Sequence, residues 1–425
     1  MAPTTPRIAI IGAGPGGLTL ASILHHNNIP CTIYERDDSA HVRNQGGTLD
    51  IHAHSGQQAL HAAGLLGEFR AAMRQGGDAM RILKKDGTVL FEFDGESVGE
   101  THDQQSGEVE FVKGRPEIDR TDLKDILITS LPAETIQWGR KVTSVVPVPN
   151  SKQWGIELDG SSRPAPFDIV VGADGAWSRT RALLTDKSPV YSGVTALDVQ
   201  TYKVDEAAPD VSAFVGMGNC FIWDEGYALL FQRSGQGSDA VARCYACVKT
   251  DSKNQPSAKA LLGEEDDGAD VDWTIAQVRE KLVERHFGDW SPEIKRNLLS
   301  LTDSSVLRPL YMLPVGLTWE SRPGVTLVGD AAHLMTPFAG VGVNVALMDA
   351  LELAQGIANY VKAGSTDGDS LAAMLKQYEE GMFARSVKET AKTETSMHLQ
   401  FQKDGAERMI RIMQGRRQPG DPMLD

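Results

Sequence analysis

The chain has 425 residues, which is long enough for a full hydrophobic core and for two or three packed subdomains. Its hydrophobic share of 41% and charged share of 23% are those of an ordinary soluble globular protein. The formal net charge of -15 argues against nucleic acid or an anionic membrane as the main partner, although one local basic site can still bind an anion.

The N-terminal segment and the cysteines indicate the cellular setting. The start, Met-Ala-Pro-Thr-Thr-Pro, lacks the charged beginning and long apolar core of a signal peptide, and no apolar stretch of roughly eighteen residues follows. We expect a cytoplasmic monomer with no transmembrane segment. The four cysteines, Cys31, Cys220, Cys244 and Cys247, are unsuited to a disulfide framework. Cys244 and Cys247 lie in a strand-like run, whereas a redox pair needs a helix N-terminus to lower the thiol pKa.

The predicted elements begin with a strand, a helix and a strand over residues 7–11, 18–27 and 31–35, which start a parallel sheet. Residues 57–73 show the apolar spacing of one helix, and residues 81–93 alternate around Asp86-Gly87, which predicts a hairpin. A helix over 120–131 then precedes strands over 135–138, 142–148, 154–158 and 167–172.

The second half of the chain is predicted to be sheet first and helix afterwards. Strand-like runs fill residues 193–250, and an acidic loop covers 264–270. A buried strand over 325–329 leads into a glycine-rich turn. No proline occurs between Pro337 and Pro419, so we expect helices over 344–361 and 371–402, separated by residues 364–368.

These elements predict an α/β fold in which a doubly wound, Rossmann-like domain is interrupted by an antiparallel β-sheet domain and followed by C-terminal helices. The nucleotide-binding domain is expected to comprise residues 1–75, 104–185 and 298–345. The sheet domain is expected to comprise residues 76–103 and 186–297, and the C-terminal helices residues 346–425.

A glycine-rich motif follows the first strand. In Gly12-Ala-Gly14-Pro15-Gly16-Gly17 the first glycine allows a tight turn, the second lets the backbone approach a pyrophosphate, and the last lets helix and strand pack closely. Glu35 ends the next strand, where an acid accepts a ribose hydroxyl. The pattern predicts a bound dinucleotide, and it leaves open whether the adenine belongs to FAD or to NAD.

Two further motifs follow buried strands. One is Asp174-Gly175-Ala-Trp-Ser178-Arg-Thr-Arg181, after the strand over 167–172. The other runs from Gly329-Asp330-Ala-Ala-His333 through Pro337-Phe-Ala-Gly340-Val-Gly342-Val-Asn344. In this order and spacing, the three motifs resemble those of the single-component flavoprotein aromatic hydroxylases. The resemblance implies FAD in an extended pose, with NADPH as transient reductant and dioxygen as co-substrate.

Within that family the chain looks most similar to the tetracycline-inactivating monooxygenases, the tetracycline destructases. The likeness is carried by residues 34–37, 46–52, 116–123 and 329–344. The resemblance implies that FAD is held by Gly12, Gly14, Pro15, Gly17, Glu35, Arg36, Arg120, Asp174, Asp330, Pro337, Gly340, Gly342, Val343 and Asn344. Asp330, where a strand ends, can bind a ribityl hydroxyl, and the Gly340-Val-Gly342 turn lets backbone N–H groups approach the flavin ring.

The substrate pocket matches the destructases less well. The family binds the polar edge of its substrate with a Gln, an Arg and a His. Gln200 matches the Gln, whereas Cys220 stands at the Arg position and Arg243 lies near the His position. The pocket residues implied by the likeness are Gln200, Cys220, Ile222, Phe231, Arg243, Pro337, Phe338 and Phe401. Taken individually, Phe231 and Phe401 fit plain core packing better than ligand contact.

The resemblance implies that a flavin hydroperoxide transfers oxygen to an electron-rich polycyclic enol or phenol, tetracycline-like, with Arg243 or Gln200 stabilising its enolate. A salicylate-type or secondary-metabolite phenol hydroxylase is the alternative within the family. A catalytically silent flavin-binding module and a nicotinamide dehydrogenase are alternatives outside it. His52-Ala-His54 lacks a third ligand, so no metal site is expected.

Overall fold

The computed structural model describes residues 5–42, 46–95, 109, 111–160, 164–364, 368–418 and 421–422. The strands of these residues are, in chain order, β1 (Ile8–Ile11), β2 (Cys31–Tyr34), β3 (Thr48–Asp50), β4 (Met80–Leu83), β5 (Val89–Phe93), β6 (Glu117–Asp119), β7 (Ile136–Gln137), β8 (Val142–Pro147), β9 (Trp154–Leu158), β10 (Ile169–Gly172), β11 (Val190–Tyr202), β12 (Asn219–Asp224), β13 (Tyr227–Ser234), β14 (Val241–Lys249), β15 (Ser304–Met312) and β16 (Val325–Leu327).

The helices are α1 (Pro15–His26), α2 (Gly56–Ala62), α3 (Leu66–Ala72), α4 (Arg120–Thr129), α5 (Val204–Ala207), α6 (Pro209–Val215), α7 (Ala258–Leu262), α8 (Ala276–Phe287), α9 (Pro292–Leu299), α10 (Asp330–His333), α11 (Gly342–Lys362), α12 (Gly368–Gln400) and α13 (Gly405–Met413). None of the helices in the described ranges is long and apolar enough to cross a membrane.

The parallel sheet has the order β16-β10-β1-β2-β7, and every pairing in it is parallel. Alternate residues of β1 point to opposite faces, as the period of a strand requires. Ile8 and Ile10 pack against helices α1, α4, α11 and α12, while Ala9 and Ile11 pack against the ribbon of β8 and β9. The α/β fold class is therefore confirmed, with a β ribbon rather than helices on the second face.

The segment over 57–73 was predicted as one helix and is instead two, α2 and α3. Gly64 has a φ of +75°, in the left-handed region that glycine adopts without strain. Its N–H donates to the carbonyl of His61 at 2.9 Å, and the N–H of Leu65 donates to that of Leu60 at 2.8 Å. This pair of bonds closes the end of α2 because it satisfies carbonyls that the helix leaves free.

The second sheet has the order β15-β11-β14-β13-β12-β4-β5 and is antiparallel except between β12 and β4. The hairpin predicted over 81–93 is confirmed as β4 and β5. β15 lies at the edge of this sheet, inside the range 298–345 that was assigned to the nucleotide-binding domain. That boundary therefore falls after Met312, whereas the boundary predicted at 103–104 lies outside the described residues.

The seven-stranded sheet separates two cores. We call its inner face the side of Gln200, Arg243, Tyr245, Leu230 and Phe221, which the strand pairings place together. This face packs against Phe338 and against residues of α12 and α13. We call its outer face the side of Cys220, Phe231 and Cys244, which packs against α6, α8 and α9. The inner face is therefore turned toward the glycine-rich turn over 337–342.

Candidate cofactor and substrate site

The first glycine-rich turn has the geometry of a dinucleotide cradle. Gly12 has a φ of +107°, and a Cβ added there would lie 2.4 Å from the carbonyl oxygen of Ala173. A Cβ on Gly17 would lie 2.3 Å from the carbonyl oxygen of Gly12, so both positions require glycine. Around Gly14 nothing lies within 4 Å of such an atom, which leaves space beside the start of α1. A phosphate can approach the helix N-terminus there.

Glu35 ties the end of β2 to this turn. One carboxylate oxygen accepts the N–H of Ala13 at 2.7 Å, and the other accepts the N–H of Asp37 at 3.0 Å. The carboxylate is buried at the carboxyl end of the sheet, where a ribose hydroxyl can reach its remaining lone pairs. Arg36 follows directly and is exposed.

Asp330 begins α10 directly after β16 and the turn at Gly329. The residue is partly open to solvent, and the burial of its carboxyl among neighbouring protein atoms raises the pKa of that group. The charges of His333, Arg120 and Arg181 oppose that rise. In the part of the chain that the structure describes, no group donates a hydrogen bond to this carboxylate, so it can accept one from a ligand.

Arg120, at the start of α4, is a half-buried cation beside Asp330 and Tyr245. Burial lowers the pKa of its guanidinium and Arg243 lowers it further, while Tyr245 and Asp330 act in the opposite direction. Its backbone N–H donates to the carbonyl of Gly47, and its guanidinium has no hydrogen bond or ion pair within the described ranges. Five unpaired donors at this position suit an anionic group of a cofactor.

The Asp-Gly motif braces the turn that carries Asp330. The Asp174 carboxylate accepts hydrogen bonds from the Ser178 hydroxyl at 2.6 Å and from the N–H of Arg179 at 2.8 Å. Both of its oxygens are therefore hydrogen-bonded within its own turn. Arg181, the last residue of the motif, is buried, with 3% of its surface exposed. Its guanidinium donates to the carbonyls of Ala331 and Ala176 at 3.0 and 2.6 Å.

The turn over 337–342 lies between α12 and the start of α11. Pro337 and Gly340 are exposed and Phe338 is buried, while Gly342 and Val343 are half-buried. Gly340 has a φ of +67°. The backbone N–H groups of this turn can come close to a flat ring, because Ala339, Gly340 and Gly342 have little or no side chain.

Asn344 holds this turn rather than presenting its side chain to a ligand. Its Oδ1 accepts the backbone N–H groups of His52 and Gly56 at 2.8 and 3.3 Å, and its Nδ2 donates to the carbonyl of Asp50 at 2.8 Å. The residue is 3% exposed. The predicted contact with FAD can therefore come only from its main chain, because the amide is fully engaged.

The polar end of the inner face brings Gln200 and Arg243 together, as the sequence predicts. The guanidinium of Arg243 donates to Oε1 of Gln200 at 2.5 Å and to the carbonyl of Gly46 at 2.6 Å, and it lies 3.3 Å from the Asp198 carboxylate. Tyr245 places its hydroxyl 3.3 Å from the same guanidinium. The charge of Arg243 is thus neutralised within the protein.

Three predicted pocket residues lie on the wrong side of the sheet. Cys220, Ile222 and Phe231 are fully buried on the outer face, among residues of α6, α8 and α9. Successive side chains of a strand point to opposite faces, so an error of one position reverses the assignment. Their immediate neighbours Phe221 and Leu230 lie on the inner face instead.

The inner face is lined by aromatic and aliphatic side chains. The rings of Phe221 and Trp223 stack at 5.8 Å with an interplanar angle of 22°. Phe338 and Phe401 were both predicted to line the pocket, and their rings meet edge to face at 5.3 Å. Tyr245, Phe221 and Trp223 were missed in the sequence. Tyr245 could have been located from Arg243, because residues two apart on one strand share a face.

The cysteine pair and the histidine pair have ordinary surroundings. Cys244 and Cys247 are buried on opposite faces of β14, and burial raises the pKa of both thiols. His52 bonds to Asp50 at 3.0 Å. The described residues contain no group of three or more His, Cys, Asp or Glu side chains that could hold a metal ion.

Comparison with known proteins identifies the class. The model of a family described as "FAD binding domain" matches residues 5–265 and 318–391. The chain belongs to this family and is an FAD-dependent monooxygenase. The monooxygenase penA of Penicillium thymicola is 33% identical, over 96% of this chain and 98% of that protein.

Solved structures show the same fold. The tetracycline destructase Tet(55) superposes with a TM-score of 0.69 at 19% identity, over 98% of this chain and 97% of that one. A salicylate hydroxylase in complex with its substrate gives a TM-score of 0.70 at 19% identity, over 99% of both chains. Identities this low establish the fold and leave the substrate open.

FAD fits the groove that these residues form. The open space at Gly14 and the carboxylate of Asp330 lie at the carboxyl ends of parallel strands, and the guanidinium of Arg120 lies beside Asp330. Neither charged group has a hydrogen-bond partner among the described residues. This carboxyl edge is where an α/β sheet binds its ligand. An anionic diphosphate suits the space at Gly14 and the guanidinium of Arg120, and a hydroxyl-bearing ribityl chain suits the carboxylate of Asp330.

Proposed function

We propose that this monooxygenase uses NADPH and dioxygen to hydroxylate an electron-rich polycyclic enol or phenol, and that the inner face of the seven-stranded sheet binds it. The observation that carries the proposal is the composition of this face, which combines an aromatic wall with one polar edge. FAD, when bound, supplies the redox chemistry. The protein supplies binding, orientation and exclusion of water.

The aromatic wall favours a flat substrate with several rings. Phe221, Trp223 and Leu230 form one side, and Phe338 and Phe401 form the other. Phe338 is fixed because Gln400 of α12 donates to its carbonyl at 2.8 Å. It lies in the turn expected to contact the flavin ring, so a ring packed on Phe338 would lie next to the flavin.

The polar edge favours a substrate that is neutral when it binds. Arg243 already pairs with the buried Asp198 carboxylate. Arg308 also donates to Asp198 at 2.7 Å, but its side chain is half exposed, so solvent screens that second positive charge. A buried cation that is already paired gives little net attraction to an anion, because the ion pair must first be broken. We therefore assign the recognition of an enol or phenol hydroxyl to the Tyr245 hydroxyl and to Gln200. Arg243 holds both in place.

Two candidates fall within this proposal: a destructase-like enzyme whose tetracycline-like substrate binds as an anionic enolate, and a secondary-metabolite phenol hydroxylase whose substrate binds neutral. The neutralised Arg243 favours the phenol hydroxylase over an enzyme for anionic tetracycline-like substrates. Both candidates use the same pocket and differ in the charge of the substrate.

The test is aerobic turnover of the purified protein with NADPH or NADH and two probes, tetracycline and a neutral polycyclic phenol. Product mass and hydrogen peroxide are both measured. A product heavier by one oxygen from tetracycline supports the destructase-like function, and one from the phenol alone supports the second candidate. NADPH oxidation that yields only peroxide rejects both probes. Bound FAD without any oxidation would indicate a silent module.

A pair of variants on neighbouring strand positions tests the pocket itself. Phe221→Leu should raise the KM for the accepted probe several-fold, because Phe221 lies on the inner face. Phe231→Leu is the matched control on the outer face. It should lower the unfolding free energy by about 1 to 2 kcal/mol with KM unchanged. A larger KM change for Phe231→Leu than for Phe221→Leu would refute the assignment of the faces.

A further inference from the structure

A group of buried charged residues lies beneath the turn that carries Asp330. His333 is 4% exposed, and its Nε2 lies 2.5 Å from Oδ2 of Asp349, which is itself completely buried. The same oxygen accepts the backbone N–H of Gly329 at 2.9 Å. One carboxylate oxygen therefore holds both ends of the turn from Gly329 to His333.

Two further contacts fix this turn from other directions. Arg385 of α12 donates to Oδ1 of Asp349 at 2.8 Å and to Glu352 at 2.5 Å. Arg181, in the Asp-Gly motif, donates to the carbonyl of Ala331 in the middle of the turn. The turn is thus held directly by Asp349 of α11 and by Arg181 of the Asp-Gly motif, and Arg385 of α12 fixes the Asp349 side chain.

The turn needs such support because it is short and its backbone is unusual. Gly329 has a φ of +62°, and α10 has a single turn, which is unstable by itself. Burial would lower the pKa of His333, but the adjacent Asp349 outweighs it and raises that pKa overall. The pKa of Asp349 is correspondingly lowered, so the two form a buried ion pair.

His333 has one feature that packing does not explain. Its Nδ1 is buried, and no hydrogen-bond partner for it exists in the described part of the chain. A buried polar atom without a partner is unfavourable for folding. The charge of His333 does, however, act on Asp330 next to it and favours the ionised carboxylate. This points to a role in the cofactor site.

We propose that His333 and Asp349 are positioning residues for FAD, which hold the Gly329–His333 turn so that the Asp330 carboxylate faces the ribityl hydroxyls. The inference rests on the proposed assignment of Asp330 to the cofactor. Neither His333 nor Asp349 has to touch FAD. Arg385 connects Asp349 to α12, whose far end carries Gln400, and Gln400 donates to the carbonyl of the pocket residue Phe338.

The test measures FAD affinity by equilibrium dialysis of the holoenzyme against graded free FAD, together with the melting temperature. His333→Ala should weaken FAD binding tenfold or more, and His333→Gln, which can still donate to Asp349, should recover part of the loss. Tyr378→Phe is the matched control. It removes a 2.8 Å bond from α12 to the carbonyl of Leu327 on the neighbouring strand, without touching the turn. It should lower the melting temperature and leave FAD affinity unchanged.

A pH series separates positioning from packing. His333 faces Asp330 on its own turn and Asp349 from α11, while Arg120, Arg181 and Arg385 complete the charged surroundings. Because His333 binds Asp349 most strongly when protonated, wild-type affinity for FAD should fall as the pH rises above neutral. His333→Gln should show a flatter profile.

The outcomes distinguish this inference from the proposed site. If Asp330→Ala weakens FAD binding and His333→Ala does not, the positioning role is refuted and the site stands. If Asp330→Ala has no effect, the assignment of Asp330 fails and the inference fails with it. Equal losses in His333→Ala and Tyr378→Phe would show a purely structural role. Should His333→Ala not fold, Arg385→Met at a half-buried position replaces it, and unchanged FAD affinity there counts against the proposal.

Discussion

Glu117 provides a pH-dependent test of the junction between the two domains. It lies on β6, and its carboxylate accepts the Thr48 hydroxyl from β3 and Nδ2 of Asn219 from β12, the latter at 3.1 Å. Arg74 lies 3.9 Å away and also contacts Asp119 at 3.2 Å. The carboxylate therefore joins the nucleotide-binding domain to the first residue of a strand in the substrate sheet.

The magnitude follows from the pKa of Glu117. Burial raises that pKa from 4.5 to about 7, with Asp50 acting in the same direction and Thr48, Arg74 and Asn219 acting against it. The folded protein keeps this proton to a higher pH than the unfolded chain does. Its stabilising effect is complete below pH 4.5 and is lost as the pH rises through 7. The loss between pH 5 and pH 8 amounts to about 2 to 3 kcal/mol.

The assay is urea unfolding of the wild type and of Glu117→Gln at pH 5 and pH 8. Glutamine keeps hydrogen-bonding atoms but does not titrate, so its stability should lack this fall. Relative to the wild type, the variant should gain about 2 to 3 kcal/mol on going from pH 5 to pH 8. Glu68→Gln, an exposed position on α3, should show no such gain. If Glu117→Gln follows the wild type at both pH values, the inference of a protonated buried carboxyl at the junction is refuted.

Two further predictions concern the turns of the cofactor site. Gly12→Ala should abolish FAD retention, because the added Cβ would lie 2.4 Å from the carbonyl oxygen of Ala173. Retention is measured as the ratio of flavin to protein absorbance, and a normal ratio would show that the turn can shift. Asn344→Ala should cost about 2 kcal/mol or more in unfolding free energy, since it leaves buried backbone N–H groups unpaired. Asn344→Asp retains the acceptor but replaces the Nδ2 donor with an oxygen facing the Asp50 carbonyl, so it should be destabilised as well, and a wild-type stability of either variant would contradict the reasoning.

The parts of the molecule that the sequence predicts well are those where local chemistry decides the structure. The Gly12 turn requires glycine because of its φ and its close contacts, so the motif specifies its own geometry. The apolar strands β1 and β10 are buried on both faces, which is why they are continuous hydrophobic runs. The break at Gly64 was missed because the apolar spacing continues across it, and only the backbone conformation reveals it.

The sequence was less informative about which polar side chains are hydrogen-bonded within the protein and which remain available to a cofactor. The sequence places Asp174, Asp330 and Asn344 in cofactor motifs. It does not show which of these side chains are already hydrogen-bonded within the protein. In the structure, Asp174 and Asn344 hold their own turns, whereas Asp330 remains available. Ser178 lies within the same motif as Asp174, but His52 is 292 residues from Asn344, and that contact cannot be inferred from positions along the chain.

The pocket assignment shows how strongly function depends on strand register. Cys220 and Phe221 are adjacent in sequence, yet Cys220 packs against the helices on the outer face and Phe221 lies on the inner face. An alignment that is wrong by one residue therefore converts a core residue into a substrate contact. Gln200 fixes the correct register, because its pairing with Arg243 determines which residues of β13 and β12 share its face. Substrate specificity in this enzyme is accordingly to be sought at Phe221, Leu230 and Tyr245.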